Sequence, residues 1–256
     1  MVNKKIVIVT QARVGSTRLP SKVLLKIGEN SLLDVHLIRL KKSKMATKVI
    51  VATTFEVGVE NIIEIANRNN VSFFQGSTED VLDRFYQSVK DEKADYIVRV
   101  TSDCPLIDAE LLDSVVQLAI DSDLDYCSNQ IMEKYPDGQD VEVVKFTALE
   151  TAWRNAYLKS DREHVTPYIR NNSTYKGGDL FRSDDYQSDA DFKHVRMTVD
   201  EEEDFRAISL LVNELGIEKG WKTYAEYVIN NPEKFNNQKL LRNEGYYKSL
   251  KNDING

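Results

Sequence analysis

Through its first 125 residues the chain alternates two hydrophobic periods, and that alternation leaves few architectures open. Short apolar runs at residues 6–9, 48–53, 71–74 and 96–100 have the length and β-branched content of buried strands. Between them, apolar residues recur at helical spacing. Ser31 is placed to N-cap a helix to about Lys42, with Leu33, Leu37, Ile38 and Leu40 inward. Residues 61–70 follow with Ile62, Ile63 and Ala66 inward. Gly76-Ser77-Thr78 opens a third helix carrying Val81, Leu82, Phe85, Tyr86 and Val89, and residues 111–120 form a fourth. Strands alternating with helices of this length call for an α/β fold, a mostly parallel sheet with helices on both faces.

The first strand runs straight into residues 10–22, TQARVGSTRLPSK, at a carboxyl end, where open α/β sheets bind ligands. Arg13, Arg18 and Lys22 bring three cations to this loop. Gly15, Ser16 and Thr17 leave N–H groups and hydroxyls open to an anion, and Pro20 stiffens the exit. The chemistry is that of a phosphate cradle. It is neither a P-loop, since Ser21 and not Gly precedes Lys22, nor a dinucleotide fingerprint, since Gly15 stands alone.

Two aspartates follow strands in the same topological sense: Asp103 after the fourth, and Asp200 after a late strand expected at 195–199. Each is also placed to cap the helix that comes next. Carboxylates facing a polyphosphate repel it unless a hard divalent cation stands between them, so the combination points to Mg²⁺. Asp140 and Glu142 share one face of a strand expected at 140–144, either a solvated face or one that meets a sugar or a second metal. His164 is read first as a structural histidine, and Asp121-Ser122-Asp123 as a solvated turn. Cys104, beside Pro105 and with no histidine near it in sequence, is expected to be a buried, inert thiol.

The remaining bounds are broad. The 256 residues are expected to form one domain, 1–256, with residues 129–191 as an insertion over the acceptor site, because turns at Pro136-Asp137-Gly138 and Gly177-Gly178 break the earlier rhythm. A net charge of −7 argues against nucleic acid or a membrane surface as partner. No run approaches the ~18 apolar residues of a membrane span, and a cytoplasmic location is expected. Two cysteines exclude a disulfide framework and a four-cysteine zinc site.

The segments QARVGSTRLPSKVLLKIG, VATT, FFQGSTEDVLDRF, VRVTSDCPLID, DGQDVEVV, REHVTPYI, RMTVDEEEDF and NEGYYKSL together resemble the SpsF-type spore-coat polysaccharide nucleotidyltransferases, relatives of the CMP-KDO and CMP-sialic acid synthetases. The resemblance spans nearly the whole chain. It implies a Rossmann-like (GT-A-type) nucleotidyltransferase fold and a cytidylyltransferase that joins CMP from CTP to the anomeric hydroxyl of an acidic 2-keto-3-deoxy sugar, releasing pyrophosphate. By position it assigns Gln11, Ala12, Arg13, Gly15, Ser16, Thr17, Arg18 and Lys22 to nucleotide and phosphates, and Ser77 and Arg84 to the surroundings of the base. Asp103 and Asp200 match metal-binding aspartates, and Asp140, Glu142 and His164 fall on the acceptor side. A homodimer through the insertion is implied as well. Where the CMP-KDO branch carries Gln-Gly before the first aspartate, this chain carries Thr101-Ser102. The cradle also suits transfer to a sugar 1-phosphate, and the sheet and carboxylates suit a glycosyltransferase that consumes a nucleotide sugar.

Overall fold

The computed structural model describes residues 4–16, 18–242, 246, 247, 249, 250 and 253. In chain order the first half contains β1 (Ile6–Gln11), β2 (Lys26–Ile27), β3 (Asn30–Ser31), α1 (Leu32–Leu40), β4 (Lys48–Thr53), α2 (Val59–Arg68), β5 (Ser72–Gln75), α3 (Val81–Val89), β6 (Tyr96–Thr101) and α4 (Ala109–Asp121). The second half adds β7 (Tyr126–Ser128), β8 (Glu142–Lys145), α5 (Phe146–Asn155), α6 (Lys159–His164), α7 (Pro167–Asn171), β9 (Ser183–Asp185), α8 (Glu202–Leu215) and α9 (Trp221–Asn230).

Seven strands form one sheet in the order β5-β4-β1-β6-β8-β7-β9. Only β8 runs against its neighbours; the other sheet contacts are parallel. The alternation of side chains along the strands divides the core. Ile6 and Ile8 of β1 face a cluster with α1, α2 and α4, whereas Val7 and Val9 face a second cluster with α3, α5 and α7. This is the mostly parallel, helix-flanked α/β sheet that the alternation demands. Ser31 caps α1 as expected, in a reciprocal box: Asp34 N–H donates to Ser31 Oγ at 3.1 Å and Ser31 N–H to Asp34 Oδ2 at 2.8 Å.

Three expectations need correction. Helix α3 starts at Val81, capped by the Asp80 side chain, so 76–80 is a loop. Asp80 accepts from Asp83 N–H at 2.9 Å and thereby satisfies a helix-end donor that Ser77 and Thr78 do not reach. The strand expected at 195–199 joins no ladder. It is buried and extended but pairs only with turns: Asp137 N–H to Val195 O at 2.9 Å, Met197 N–H to Asp137 O at 2.7 Å and Val199 N–H to Asp103 O at 2.8 Å. A third apolar cluster, which includes Val195, Met197, Val199 and residues of α8 and α9, accounts for its strand-like composition. Gly138 permits this packing, with φ at +103° and no room for a Cβ, which would sit 2.6 Å from the Met197 carbonyl carbon.

The third correction concerns 140–144. The strand is β8, starting at Glu142, and it lies inside the sheet between β6 and β7. Glu142 and Asp140 are therefore on no solvated outer face. Residues 129–191 thus supply an inner strand and the edge strand β9 as well as α5 to α7. Among the described residues no helix is long and apolar enough to cross a membrane.

Candidate active site

A cavity of about 1030 Å³ opens where β1 and β6 end, lined by Gln11 and Thr101 and by loops from both halves of the chain. It lies at the top of the small-molecule range of about 300–1,000 Å³, which leaves room for two substrates.

The loop after β1 folds back on itself, with Ser16 and Ser21 N–H groups both donating to Val14 O, at 2.8 and 3.1 Å. Ser21 adopts φ 54°, a left-handed turn that swings Lys22 inward. Gln11, Ala12, Arg13, Ser16, Arg18 and Lys22 line the cavity. Gly15 does not. Its N–H donates to Glu56 Oε2 at 3.4 Å, and the Glu56 carboxylate lies close against it. Thr17 lies outside the described residues.

Lys22 occupies the centre. Its ammonium donates to Asp103 Oδ2 at 3.1 Å, Asp200 Oδ1 at 2.8 Å and Val199 O at 2.8 Å, which uses all three protons. Arg18 adds an ion pair to Asp200 at 2.9 Å. Burial pushes the lysine pKa down, yet the two carboxylates outweigh it and hold it above its ordinary value. Burial pushes the Asp103 carboxyl up, but Lys22 and hydrogen bonds from Thr101 and Lys22 bring it well below the usual range. Neither aspartate is a helix cap. Asp108 caps α4, and α8 is capped by Glu201 in a box with Asp204. Thr101-Ser102 ties the Asp103 loop to β1: Ser102 N–H and Oγ both donate to Gln11 O, at 3.3 and 2.7 Å.

Two carboxylates converging on one point, with cations around it, fit a hard cation. Mg²⁺ takes one or two carboxylates and completes its shell with water and phosphate oxygens. Among the described residues no cluster of three or more ligating side chains forms, and the Mg²⁺ preference requires none.

On the nucleotide side Arg84 is 2% exposed, with its Nε lacking a partner and its Nη1 donating to Ser77 O. Burial first, then the neighbouring Arg13, lowers its pKa to about 10. Two guanidinium groups held this close invite an anion. Gly76 makes the seat, since a Cβ there would stand 2.9 Å from Arg84 Cγ. Ser77 itself is outside the cavity wall, where Thr78 and Glu79 stand, and acts on Arg84 through its carbonyl.

At the other end Asp140, Glu142 and His164 all reach the cavity wall. The β6–β8 register sets Glu142 opposite Arg99, and the two form an ion pair. Tyr126 Oη and Thr166 Oγ1 also donate to Glu142 Oε1, at 2.7 and 2.6 Å. Burial raises the carboxyl, but Arg99, then Thr166 and Tyr126, bring it below its ordinary value. Asp140 is claimed by Arg242 Nη2 at 2.5 Å. His164 Nε2 lies 2.8 Å from Ser249 Oγ, and burial, reinforced by Arg99, pushes its pKa down to about 4, so it is neutral at pH 7. Glu142 is therefore a fully satisfied buried carboxylate that props Arg99. Cys104 is buried, and burial first, then Asp103, pushes its thiol up, which leaves it inert.

Several wall residues were not foreseen: Arg99, Thr78, Arg170, Lys159, Lys176 and Tyr246. Arg99 did carry a signal, an arginine inside the apolar run YIVRVT.

A model of the cytidylyltransferase family matches residues 6–251. The chain belongs to this family. It is 43% identical over 204 residues to an uncharacterised protein of Methanocaldococcus jannaschii, covering 79% of this chain and 81% of that one. It is 35% identical over 218 residues to the spore coat polysaccharide biosynthesis protein SpsF of Bacillus subtilis, covering 82% and 88%. A shorter match, 35% over 117 residues and 46% and 47% of the two chains, joins it to a 3-deoxy-manno-octulosonate cytidylyltransferase of Bdellovibrio bacteriovorus. The solved cytidylyltransferase of Leptospira borgpetersenii superposes with a TM-score of 0.86 at 34% identity, covering 93% of this chain and all of that one (100%). Membership makes this chain a CTP-using nucleotidyltransferase.

Proposed function

We propose that this cytidylyltransferase transfers CMP from CTP to the anomeric hydroxyl of an acidic 2-keto-3-deoxy sugar, with Mg²⁺ held by Asp103 and Asp200. The new bond joins the anomeric oxygen to the α-phosphorus as its proton is released to solvent, the α–β phosphoanhydride breaks, and pyrophosphate leaves with its electron pair. Arg13, Arg18 and Lys22 line the end where the leaving phosphates would lie, and Arg84 stands beside them toward the base. When bound, Mg²⁺ supplies charge neutralisation on the phosphates and lowers the cost of deprotonating a hydroxyl. Lys22, at present between the aspartates, is then available to the phosphates.

The observation that supports an acidic acceptor is Arg170 at the far end. Arg99, Lys159, Arg170 and Lys176 line that end beside Glu133, Asp140, Glu142 and Glu163; Arg99 is taken up by Glu142 and Asp140 by Arg242, whereas among the described residues no carboxylate lies within ion-pair distance of Arg170. A guanidinium in a cavity wall with no carboxylate partner matches a substrate anion. A sugar 1-phosphate satisfies the same basic end and is the second reading. The test is pyrophosphate release with Mg²⁺, comparing CTP with other nucleoside triphosphates over 2-keto-3-deoxy sugar acids and sugar 1-phosphates. Release with CTP and a keto acid supports the proposal; release only with phosphorylated acceptors moves it to the second reading.

Pairing of two subunits through residues 129–191 belongs to the same proposal. Its support is the exposure there of Met132, Tyr157, Tyr175 and Leu180. A sedimentation mass near one 29.3 kDa chain would contradict it.

A further inference from the structure

Tyr246, Tyr247, Ser249 and Leu250 come back to the cavity wall from a stretch far from the first loop. Arg242 donates to Asp140 Oδ1 at 2.5 Å and to the Tyr135 carbonyl at 3.1 Å. Asp253 Oδ1 accepts from Ser160 N–H at 3.1 Å, in the first turn of α6. Between these two ties Tyr246 and Ser249 line the cavity at its far end. The Tyr246 ring lies under the Arg170 guanidinium, 5.1 Å from centroid to Cζ, and meets the His164 ring edge-on at 5.1 Å and 89°. Ser249 Oγ, 2.8 Å from His164 Nε2, also donates to the Tyr246 carbonyl at 2.9 Å. One tail side chain therefore touches both polar groups that α6 and α7 send toward the acceptor.

An arginine free to sample its rotamers loses that freedom when it meets an anion, and a stacked aromatic ring removes the cost beforehand. Lys22 and Arg84, on the base and triphosphate side, have other supports: Asp103 and Asp200 for Lys22, Ser77 and Gly76 for Arg84. We propose that Tyr246, with Ser249 beside it, helps select the acceptor, and that Tyr246 is the positioning residue that holds Arg170 and His164 toward the acceptor's anionic group. The inference rests on the acidic-acceptor reading.

The test uses full-length protein carrying Tyr246→Ala or Tyr246→Phe, with 3-deoxy-manno-octulosonate, CTP and Mg²⁺ as probes. Tyr246→Ala is expected to raise the KM for the sugar acid about tenfold, the scale of a desolvated cation–π contact. The calorimetric Kd for CTP is expected to stay within about twofold, and Tyr246→Phe, which keeps the ring, to recover most of the loss. An equal change in CTP affinity, or no recovery with phenylalanine, overturns the inference as general damage. A second readout needs no acceptor. His164 is faced by Arg99, Arg170, Glu142 and Asp253, and its pKa, about 4 in the intact protein, is expected to climb toward 6.5 in Tyr246→Ala as burial is relieved, followed by NMR of the ring. If no sugar acid turns over with the native protein, the acidic-acceptor reading fails while the histidine titration still decides the positioning. A value unchanged near 4 in the variant overturns it; a rise with CTP affinity intact upholds it.

Discussion

The two ends of the cavity are built by opposite strategies. The phosphate end is assembled from the first strand's loop and two aspartates, and its central charges already pair with one another, Lys22 with Asp103 and Asp200 and Arg18 with Asp200, while Arg84 beside them keeps a buried Nε without a partner. The far end is assembled from β6, β8, α6, α7 and residues 246, 247, 249 and 250, and there Arg99 is paired with Glu142 while Arg170 has no carboxylate within ion-pair distance among the described residues. The difference teaches where binding energy is stored. At the first end a ligand must exchange one set of ion pairs for another, which gives selectivity for a polyanion that brings its own cation. At the second end a ligand's anion meets the half-buried guanidinium of Arg170, which offers a bidentate contact.

Four experiments can break or sharpen that contrast. The largest effect is expected from Asp103→Asn or Asp200→Asn: a loss of about 10²–10³ in kcat, the scale for removing one preorganised electrostatic group. Pyrophosphate release at limiting Mg²⁺ checks it, and full turnover there would remove the metal role. Next, Lys22→Met is expected to cut kcat/KM about 100-fold. Because it leaves two carboxylates facing one another, it should also lower stability by on the order of 2–3 kcal/mol, less than a fully buried pair because Lys22 keeps some exposure. Added Mg²⁺ is expected to restore the thermal midpoint of this variant while leaving that of the native protein nearly unchanged. If Mg²⁺ stabilises both alike, the exchange of ion pairs is wrong.

Smaller and confined to the far end, Arg170→Ala is expected to raise the acceptor KM about tenfold or more with the CTP Kd unchanged, from loss of a charge-assisted contact. Parallel losses for both substrates would erase the distinction between the ends. The smallest effect concerns pH. His164 has a folded pKa of about 4 against 6.5 when unfolded, so the unfolded chain binds the extra proton between those values. The stability from keeping His164 neutral is complete above pH 6.5 and lost as pH falls toward 4. It amounts to on the order of 1–2 kcal/mol for this partly exposed ring. His36 is likewise pushed down to about 4 by burial, with its ring between Thr10 Oγ1 and the Cys104 carbonyl at 2.9 Å each. Thermal midpoints across this window should therefore fall less steeply in His164→Gln; an identical slope would show that the ring is not buried.

The same contrast governs what could be read from the sequence. The phosphate end was legible because its information is local: a buried strand, a loop and three cations lie within seventeen residues' reach of one another, as in the run from Ile6 to Lys22. Asp103 and Asp200 were found by what comes before them, although Val195–Val199 turned out to be an extended, ladder-free segment, because burial by the third apolar cluster imitates strand composition. The far end was largely illegible. Glu142 was recognised as a site acid, yet its partner Arg99 is set by the register of β8 against β6, forty-three positions apart, which no local period encodes. Tyr246 falls in the NEGYYKSL segment, but its sequence neighbourhood gives no role before it is placed against α6 and α7. Gly15 stands beside the Glu56 carboxylate and outside the cavity wall, a placement that only a three-dimensional neighbour reveals.

The ammonium of Lys22 wedged between two aspartates has a consequence for the life of the protein outside turnover. Folding meets no uncompensated acid at its centre, so a newly made chain can mature and be stored without waiting for an ion, and chelation should stop the reaction without unravelling the enzyme. On the proposed metal role, readiness and activity are thereby separated: folding is finished first, and the arrival of a metal-laden nucleotide would decide when the site acts.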